Sequence, residues 1–153
     1  MRRLGVVLAL ALALAACSSG QADVTASAAR ISTPIAGSAQ IALSLINAGT
    51  LDDELLDVST PAAVFVEIHE TVLADGRATM TKRETVVVPA SETVVFRPGG
   101  LHLMLLVPDD TVVIGARVPL TLTFKSSAPI TLEAEVVELL DLVAFGDGLQ
   151  VTS

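Results

Sequence analysis

Apolar and polar residues alternate with a period of two along much of the chain, which is the pattern of half-buried β-strands. The clearest case is Pro119–Lys125, where leucine and phenylalanine fall on one face and threonine and lysine on the other. Ile130–Val136 repeats the pattern, and the residues Ser126–Pro129 between the two segments suit a hairpin connection. We therefore predict that these two strands form a pair.

Several other segments have strand character, and turns rich in Gly, Pro, Asn and Asp separate them. They are Ile41–Ile46, Ala63–His69, Thr85–Val88, Thr93–Arg97 and Leu101–Leu106. Two further segments are ambiguous, since Leu51–Leu56 suits a helical turn and Val137–Phe145 suits either a strand or a short helix. Short strands at this spacing predict an all-β fold, an antiparallel sandwich or barrel.

The N-terminus has the three regions of an export signal. Arg2 and Arg3 are basic, residues 4–16 form an apolar run too short to span a bilayer, and Leu-Ala-Ala-Cys ending at Cys17 resembles a bacterial lipobox. The resemblance implies that residues 1–16 are a lipoprotein signal peptide and that acylated Cys17 anchors the protein to a membrane without spanning it. An ordinary secretory signal with a chance cysteine and an N-terminal transmembrane anchor are the alternatives.

This interpretation divides the chain into four parts. After the signal peptide, residues 17–23 form a lipid-anchored cysteine and a flexible tether, because they are small and polar. Residues 24–145 form one domain, and residues 146–153 form a frayed C-terminal tail. Cys17 is the only cysteine, so its acylation would leave no thiol for a disulfide or a thiolate metal site.

The charge of the chain and the motifs that it lacks argue against two classes of function, nucleic-acid binding and catalysis. The 153 residues carry 17 acids and 9 bases, a formal net charge of −8 that becomes −10 without residues 1–16. We therefore predict that the chain does not bind nucleic acid, because phosphate binding needs clustered Lys and Arg. The sequence also lacks a nucleophile elbow, a His-Glu-x-x-His motif and a phosphate-binding loop, so we predict that the protein is not an enzyme.

The few histidines and methionines of the chain are the candidates for metal binding. Apart from Met1, the chain has two methionines, Met80 and Met104, and two histidines, His69 and His102. Taken singly, each methionine suits core packing and each histidine a hydrogen-bonded surface group. His102 and Met104 are two residues apart in an apolar run, so on a strand they share one face. His69 ends a predicted strand and Met80 follows a predicted turn, where a loop can bring a ligand towards the His102 strand.

The spacing of these four residues is specific. Ten residues separate His69 from Met80 and twenty-one separate Met80 from His102, after which comes His-x-Met. This spacing resembles the copper-binding signature of PCu(A)C, a family of bacterial periplasmic copper chaperones. Four flanking segments also resemble that family: Asn47–Leu56, Val66–Glu70, Pro98–Leu105 and Val118–Phe124.

The resemblance covers residues 24–138 and implies a cupredoxin-like Greek-key β-sandwich whose copper ligands are His69, Met80, His102 and Met104. Many family members have a methionine where this chain has Glu70, and some have a His- and Met-rich tail that this chain lacks. These departures argue against a second copper site but leave the four-residue site intact.

Two imidazoles and two thioethers suit Cu(I), because thioether sulfur is soft and the ligand set adds no charge. Because acylation would occupy the only cysteine, Cys17, a blue-copper electron-transfer site built on a thiolate is excluded. Glu67 or Glu70 is placed to orient an imidazole, although a solvated carboxylate is the simpler interpretation for each.

The resemblance implies an extracytoplasmic Cu(I) metallochaperone, lipid-anchored on a bacterial membrane. It would deliver the ion to a copper acceptor protein, either another copper chaperone or cytochrome c oxidase, the client that the family implies. Two alternatives stay open at this point. One is a lipoprotein that sequesters or buffers copper through the same site, and the other is a β-sandwich scaffold that binds no metal.

Overall fold

The computed structural model describes residues 20–149, which form strands and one C-terminal helix. The strands are β1 (Val24–Ala26), β2 (Ala29–Ser32), β3 (Ser38–Asn47), β4 (Asp53–Ser59), β5 (Ala63–Ala74), β6 (Arg77–Arg83), β7 (Val86–Val88), β8 (Thr93–Phe96), β9 (Leu101–Pro108), β10 (Arg117–Phe124) and β11 (Ile130–Val137), and the helix is α1 (Leu139–Gly148). The predicted all-β sandwich is confirmed. Cys17 and the predicted signal peptide lie outside the described residues.

The strands are hydrogen-bonded in the order β6-β5-β9-β3-β2-β11-β10-β4-β7. Strand β3 connects two groups of strands. Its first half pairs with β9 and β2, and its second half pairs with β1 and β8. Its buried side chains, among them Ile41, Leu43 and Leu45, lie at the centre of one continuous apolar core. The pairs are antiparallel except for β2 with β11, which is parallel.

The predicted hairpin is also confirmed, since β10 pairs antiparallel with β11 and Leu120 lies opposite Leu132. The helical turn predicted at Leu51–Leu56 is wrong. Strand β4 occupies most of this segment, because it pairs with both β10 and β7 and buries Leu55 and Val58 in the core. Tertiary pairing here outweighs the local helical preference.

The predicted flexible tether over residues 17–23 is wrong for its last residues. Thr50 N–H donates to the Gln21 carbonyl and Ala48 N–H to the Asp23 carbonyl, each at 2.9 Å. The Asn47 side chain in turn accepts the Asp23 N–H at 3.1 Å. Residues 21–23 therefore belong to the folded domain, held by the turn that follows β3.

The frayed tail predicted over residues 146–153 is wrong for residues 146–148, and residues 150–153 lie outside the described part of the chain. Strand β11 ends at Val137 and α1 then continues to Gly148, with Leu142 and Gly146 buried. Gly146 lies so close to the turn after β8 that an added Cβ would come within 2.9 Å of the Arg97 Cβ. The glycine that suggested a flexible end is instead what allows the helix to pack there. Within residues 20–149, α1 is too short to cross a membrane, and no other helix there could do so.

Candidate metal site

The hairpin of β5 and β6 places His69 beside Met80. Its turn residues Asp75 and Gly76 have φ values of 53° and 73°, the left-handed pair that a tight hairpin turn requires. The resulting register sets Met80 opposite Thr71, on the same face as His69. The His69 Nδ1 lies 3.1 Å from the Met80 Sδ. The sequence-based placement of His69 at a strand end is wrong, because His69 lies inside β5. Met80 follows the turn as predicted, but it is held within strand β6 and not by a loop.

Strand β9 brings the other two residues to the same face. His102 lies directly opposite His69, and Met104 lies opposite Glu67, two residue pairs further along the strands. The two imidazole rings meet edge to face, with centroids 5.9 Å apart and an interplanar angle of 82°. Leu103 points the other way, into the core. All four predicted ligands therefore lie on one face of three neighbouring strands, β6, β5 and β9.

His102 is buried and oriented by the turn before β9. Only 1% of the residue is exposed, and its Nδ1 lies 2.9 Å from the Gly100 carbonyl oxygen. That oxygen also accepts the Thr71 N–H at 3.0 Å, which ties the turn to β5. Because a carbonyl can only accept, Nδ1 carries the proton. The other ring nitrogen, Nε2, is buried and has no hydrogen-bond partner.

The environment of His102 favours the neutral imidazole. Burial lowers the pKa of His102, the Gly100 carbonyl partly offsets this, and neighbouring His69 lowers the pKa further. A neutral imidazole is the form that binds metal.

The depressed pKa of His102 predicts how stability depends on pH. In the unfolded chain the group titrates near its usual value of about 6.5, so below that pH the unfolded state binds more protons than the folded state. The free energy of unfolding should therefore fall as the pH drops from about 6.5 towards the lower folded pKa. Denaturant unfolding of the metal-free protein on both sides of this value measures the effect. His102→Gln should show a smaller pH dependence, and an unchanged dependence would contradict the assignment.

Glu67 contacts the other imidazole. One carboxylate oxygen lies 2.9 Å from the His69 Nε2 and the other accepts a hydrogen bond from Lys82 at 2.9 Å. These contacts, that with Lys82 first and that with His69 second, lower the pKa of Glu67. Glu70, the other predicted orienting residue, forms an ion pair with Arg83 instead.

The four side chains differ in access to solvent. His102 is fully buried, His69 and Met104 are half-buried, and Met80 on the edge strand is 49% exposed. Within residues 20–149, no cluster of three or more His, Cys, Asp or Glu side chains is placed to hold a metal ion. A site on this face therefore depends on its two thioethers as well as its imidazoles.

Two features near the site escaped sequence reasoning. One is the Gly100 carbonyl, which orients His102. The other is Gln40 on β3, which lies opposite Met104 and whose Oε1 is buried without a hydrogen-bond partner. The paired glycines at residues 99–100 signalled a turn, but no sequence pattern reports the direction of a backbone carbonyl.

Comparison with known sequences gives a family match over most of the domain. The model of the LpqE-like lipoprotein family matches residues 22–136, which ends before α1. A protein of Leifsonia xyli subsp. xyli named "Putative lipoprotein Lxx21020" is 30% identical over 87 residues, 55% of this chain and 52% of that protein. The chain thus spans about half the length of this curated relative.

Comparison with solved structures identifies the fold. The copper-bound PCuAC domain from PmoF2 superposes with a TM-score of 0.64 at 20% identity, over 75% of this chain and 92% of that domain. The Cu(I) form of DR1885 from Deinococcus radiodurans gives a TM-score of 0.62 at 22% identity, over 74% of this chain and 77% of that protein. The predicted likeness to the PCu(A)C fold is therefore confirmed.

Proposed function

We propose a copper(I)-binding function for this protein, which belongs to the LpqE-like lipoprotein family. The observation that carries the proposal is the convergence of His69, Met80, His102 and Met104 on one sheet face. A buried acceptor without a partner, such as the His102 Nε2, costs about 1–3 kcal/mol, and a bound cation would remove that cost. The copper-bound PCuAC domain and the Cu(I) form of DR1885 share this fold, which supports the proposal.

The donor set favours the monovalent ion. Thioether sulfur is a soft, neutral ligand, whereas Zn(II) is held by thiolate, imidazole and carboxylate. The carboxylate nearest the site, that of Glu67, is engaged by Lys82 and His69. Two neutral imidazoles and two thioethers would stabilise Cu(I) without adding charge.

The four proposed ligands differ in solvent exposure, and this difference suggests how Cu(I) would be passed to an acceptor. Met80 lies half exposed on the edge strand, so an incoming ligand from an acceptor can replace it first. His102 is buried and would release the ion last. We propose that the protein delivers Cu(I) by this exchange to a copper acceptor protein, either another copper chaperone or the copper centre of cytochrome c oxidase. Acylation of Cys17 would hold it on the extracytoplasmic face of a bacterial membrane.

Copper buffering is the second candidate, and the burial of His102 is the observation that favours it. A deeply held ligand slows dissociation, which suits storage. Transfer rates separate the two roles: a chaperone should lose Cu(I) to an acceptor faster than the ion dissociates on its own, and a buffer should not.

A competition titration tests copper binding itself. The chain from Ser18 onwards, which contains the whole described fold, is titrated with Cu(I) against a chromophoric chelator. We expect one tightly bound Cu(I) per chain, and we expect Zn(II) not to displace it, because Zn(II) gains little from thioethers. Absence of Cu(I) binding would favour the metal-free scaffold, and displacement by Zn(II) would show that the thioethers are not ligands.

A further inference from the structure

We infer that the two imidazoles bind copper through different nitrogens, His69 through Nδ1 and His102 through Nε2, and that Glu67 imposes this choice on His69. The inference rests on the proposed function and adds a positioning residue to it. It concerns the ring nitrogens that the surrounding residues leave free to bind a metal.

For His102 the assignment follows from the Gly100 carbonyl. This oxygen accepts the Nδ1 proton at 2.9 Å, so the lone pair is on Nε2. Nε2 is buried without a partner in the metal-free protein. It is therefore the one ring nitrogen of His102 that is free to bind copper.

For His69 the assignment is the reverse. The Glu67 carboxylate, which forms a salt bridge with Lys82, can only accept, so the His69 Nε2 at 2.9 Å carries the proton. The lone pair is then on Nδ1, which faces the Met80 sulfur at 3.1 Å. The His69 Nδ1 and the Met80 Sδ therefore face each other with their lone pairs, and no proton lies between them to form a hydrogen bond. A soft cation bound by both would relieve their repulsion.

Glu67 contributes to specificity as well as to orientation. Both of its oxygens are engaged, one by His69 and one by Lys82. A carboxylate whose two oxygens are both engaged is a poor metal ligand. Glu67, the oxygen donor that a divalent ion would prefer, would therefore not bind the copper ion directly. Lys82 lies opposite His69 in the hairpin, so the register of β5 and β6 assembles this arrangement.

Long-range ¹H–¹⁵N spectra of the ¹⁵N-labelled chain from Ser18 onwards test the inference. In the metal-free protein we expect His69 with its proton on Nε2 and His102 with its proton on Nδ1. Adding Cu(I) should shift the His69 Nδ1 and His102 Nε2 resonances most. Cu(I) binding with the shift at the His69 Nε2 would overturn the inference alone, whereas no Cu(I)-dependent shift would overturn the proposed function with it.

Glu67→Gln tests the positioning role, and Glu70→Gln is the matched control on the same strand. Loss of a partner that orients a metal-binding imidazole lowers metal affinity about 10–100-fold, so we expect this loss for Glu67→Gln. Glu70 contacts Arg83 rather than an imidazole, so Glu70→Gln should bind Cu(I) as the unsubstituted protein does. Equal Cu(I) affinity in the two variants would overturn the role of Glu67. If Glu67→Gln fails to fold, the spectra of the unsubstituted protein still test the nitrogen assignment.

Discussion

Replacing His102 by alanine should abolish tight Cu(I) binding while leaving the sandwich folded. His102 is the most deeply buried of the four proposed ligands, and its Nε2 has no other partner. Loss of an outer partner of a metal ligand lowers affinity about 10–100-fold, so loss of the ligand itself should lower it by more than about 100-fold. Cu(I) affinity is measured by chelator competition, and folding by the denaturant midpoint.

The fold should survive because two effects of His102→Ala oppose each other. The substitution leaves a cavity, which is destabilising, but it also removes a buried nitrogen that has no hydrogen-bond partner. Thr71→Ala is the control, since Thr71 lies on the same sheet face beside Met80 and is not a proposed ligand. If His102→Ala folds and still binds Cu(I) as Thr71→Ala does, His102 is not a ligand.

Replacing Asn47 by alanine should give the second large effect, on stability rather than on copper. Asn47 is 1% exposed, and its Oδ1 accepts the N–H groups of Asp23 and Gly49 at 3.1 and 3.0 Å. Its amide nitrogen donates to the carbonyls of Leu51 and Val88 at 2.8 and 3.0 Å. Alanine would leave several of these buried groups unpaired, so we expect the free energy of unfolding to fall by about 2–4 kcal/mol.

Thr50→Ala is the control for this prediction, because Thr50 is exposed in the same turn and keeps its backbone hydrogen bond to Gln21. It should change the free energy of unfolding by less than about 0.5 kcal/mol. Denaturant unfolding of both variants provides the measurement. Equal stability of Asn47→Ala and Thr50→Ala would contradict the role assigned to the Asn47 side chain.

The strands with alternating residues were predictable because one face of each is buried. β10 and β11 show this alternation and form the expected hairpin. β6 does not, since all its residues are exposed and no apolar stripe marks it. α1 was missed beyond Phe145 because its late glycines suggest a flexible end, and only the tertiary contact of Gly146 with Arg97 shows otherwise.

The membership of the candidate site was predictable, whereas its geometry was not. Residue spacing selected His69, Met80, His102 and Met104, and strand register brings all four to one face. Register depends on the left-handed turn at Asp75 and on long-range pairing, which a sequence pattern records only weakly.

X-ray absorption at the copper edge of the Cu(I)-loaded protein tests the central claim most directly. The proposed site predicts a copper shell of two nitrogen and two sulfur scatterers, from two imidazoles and two thioethers. Met80→Leu and Met104→Leu should each remove one sulfur. A shell of nitrogen and oxygen without sulfur would contradict the account, because the two methionines would then not be ligands.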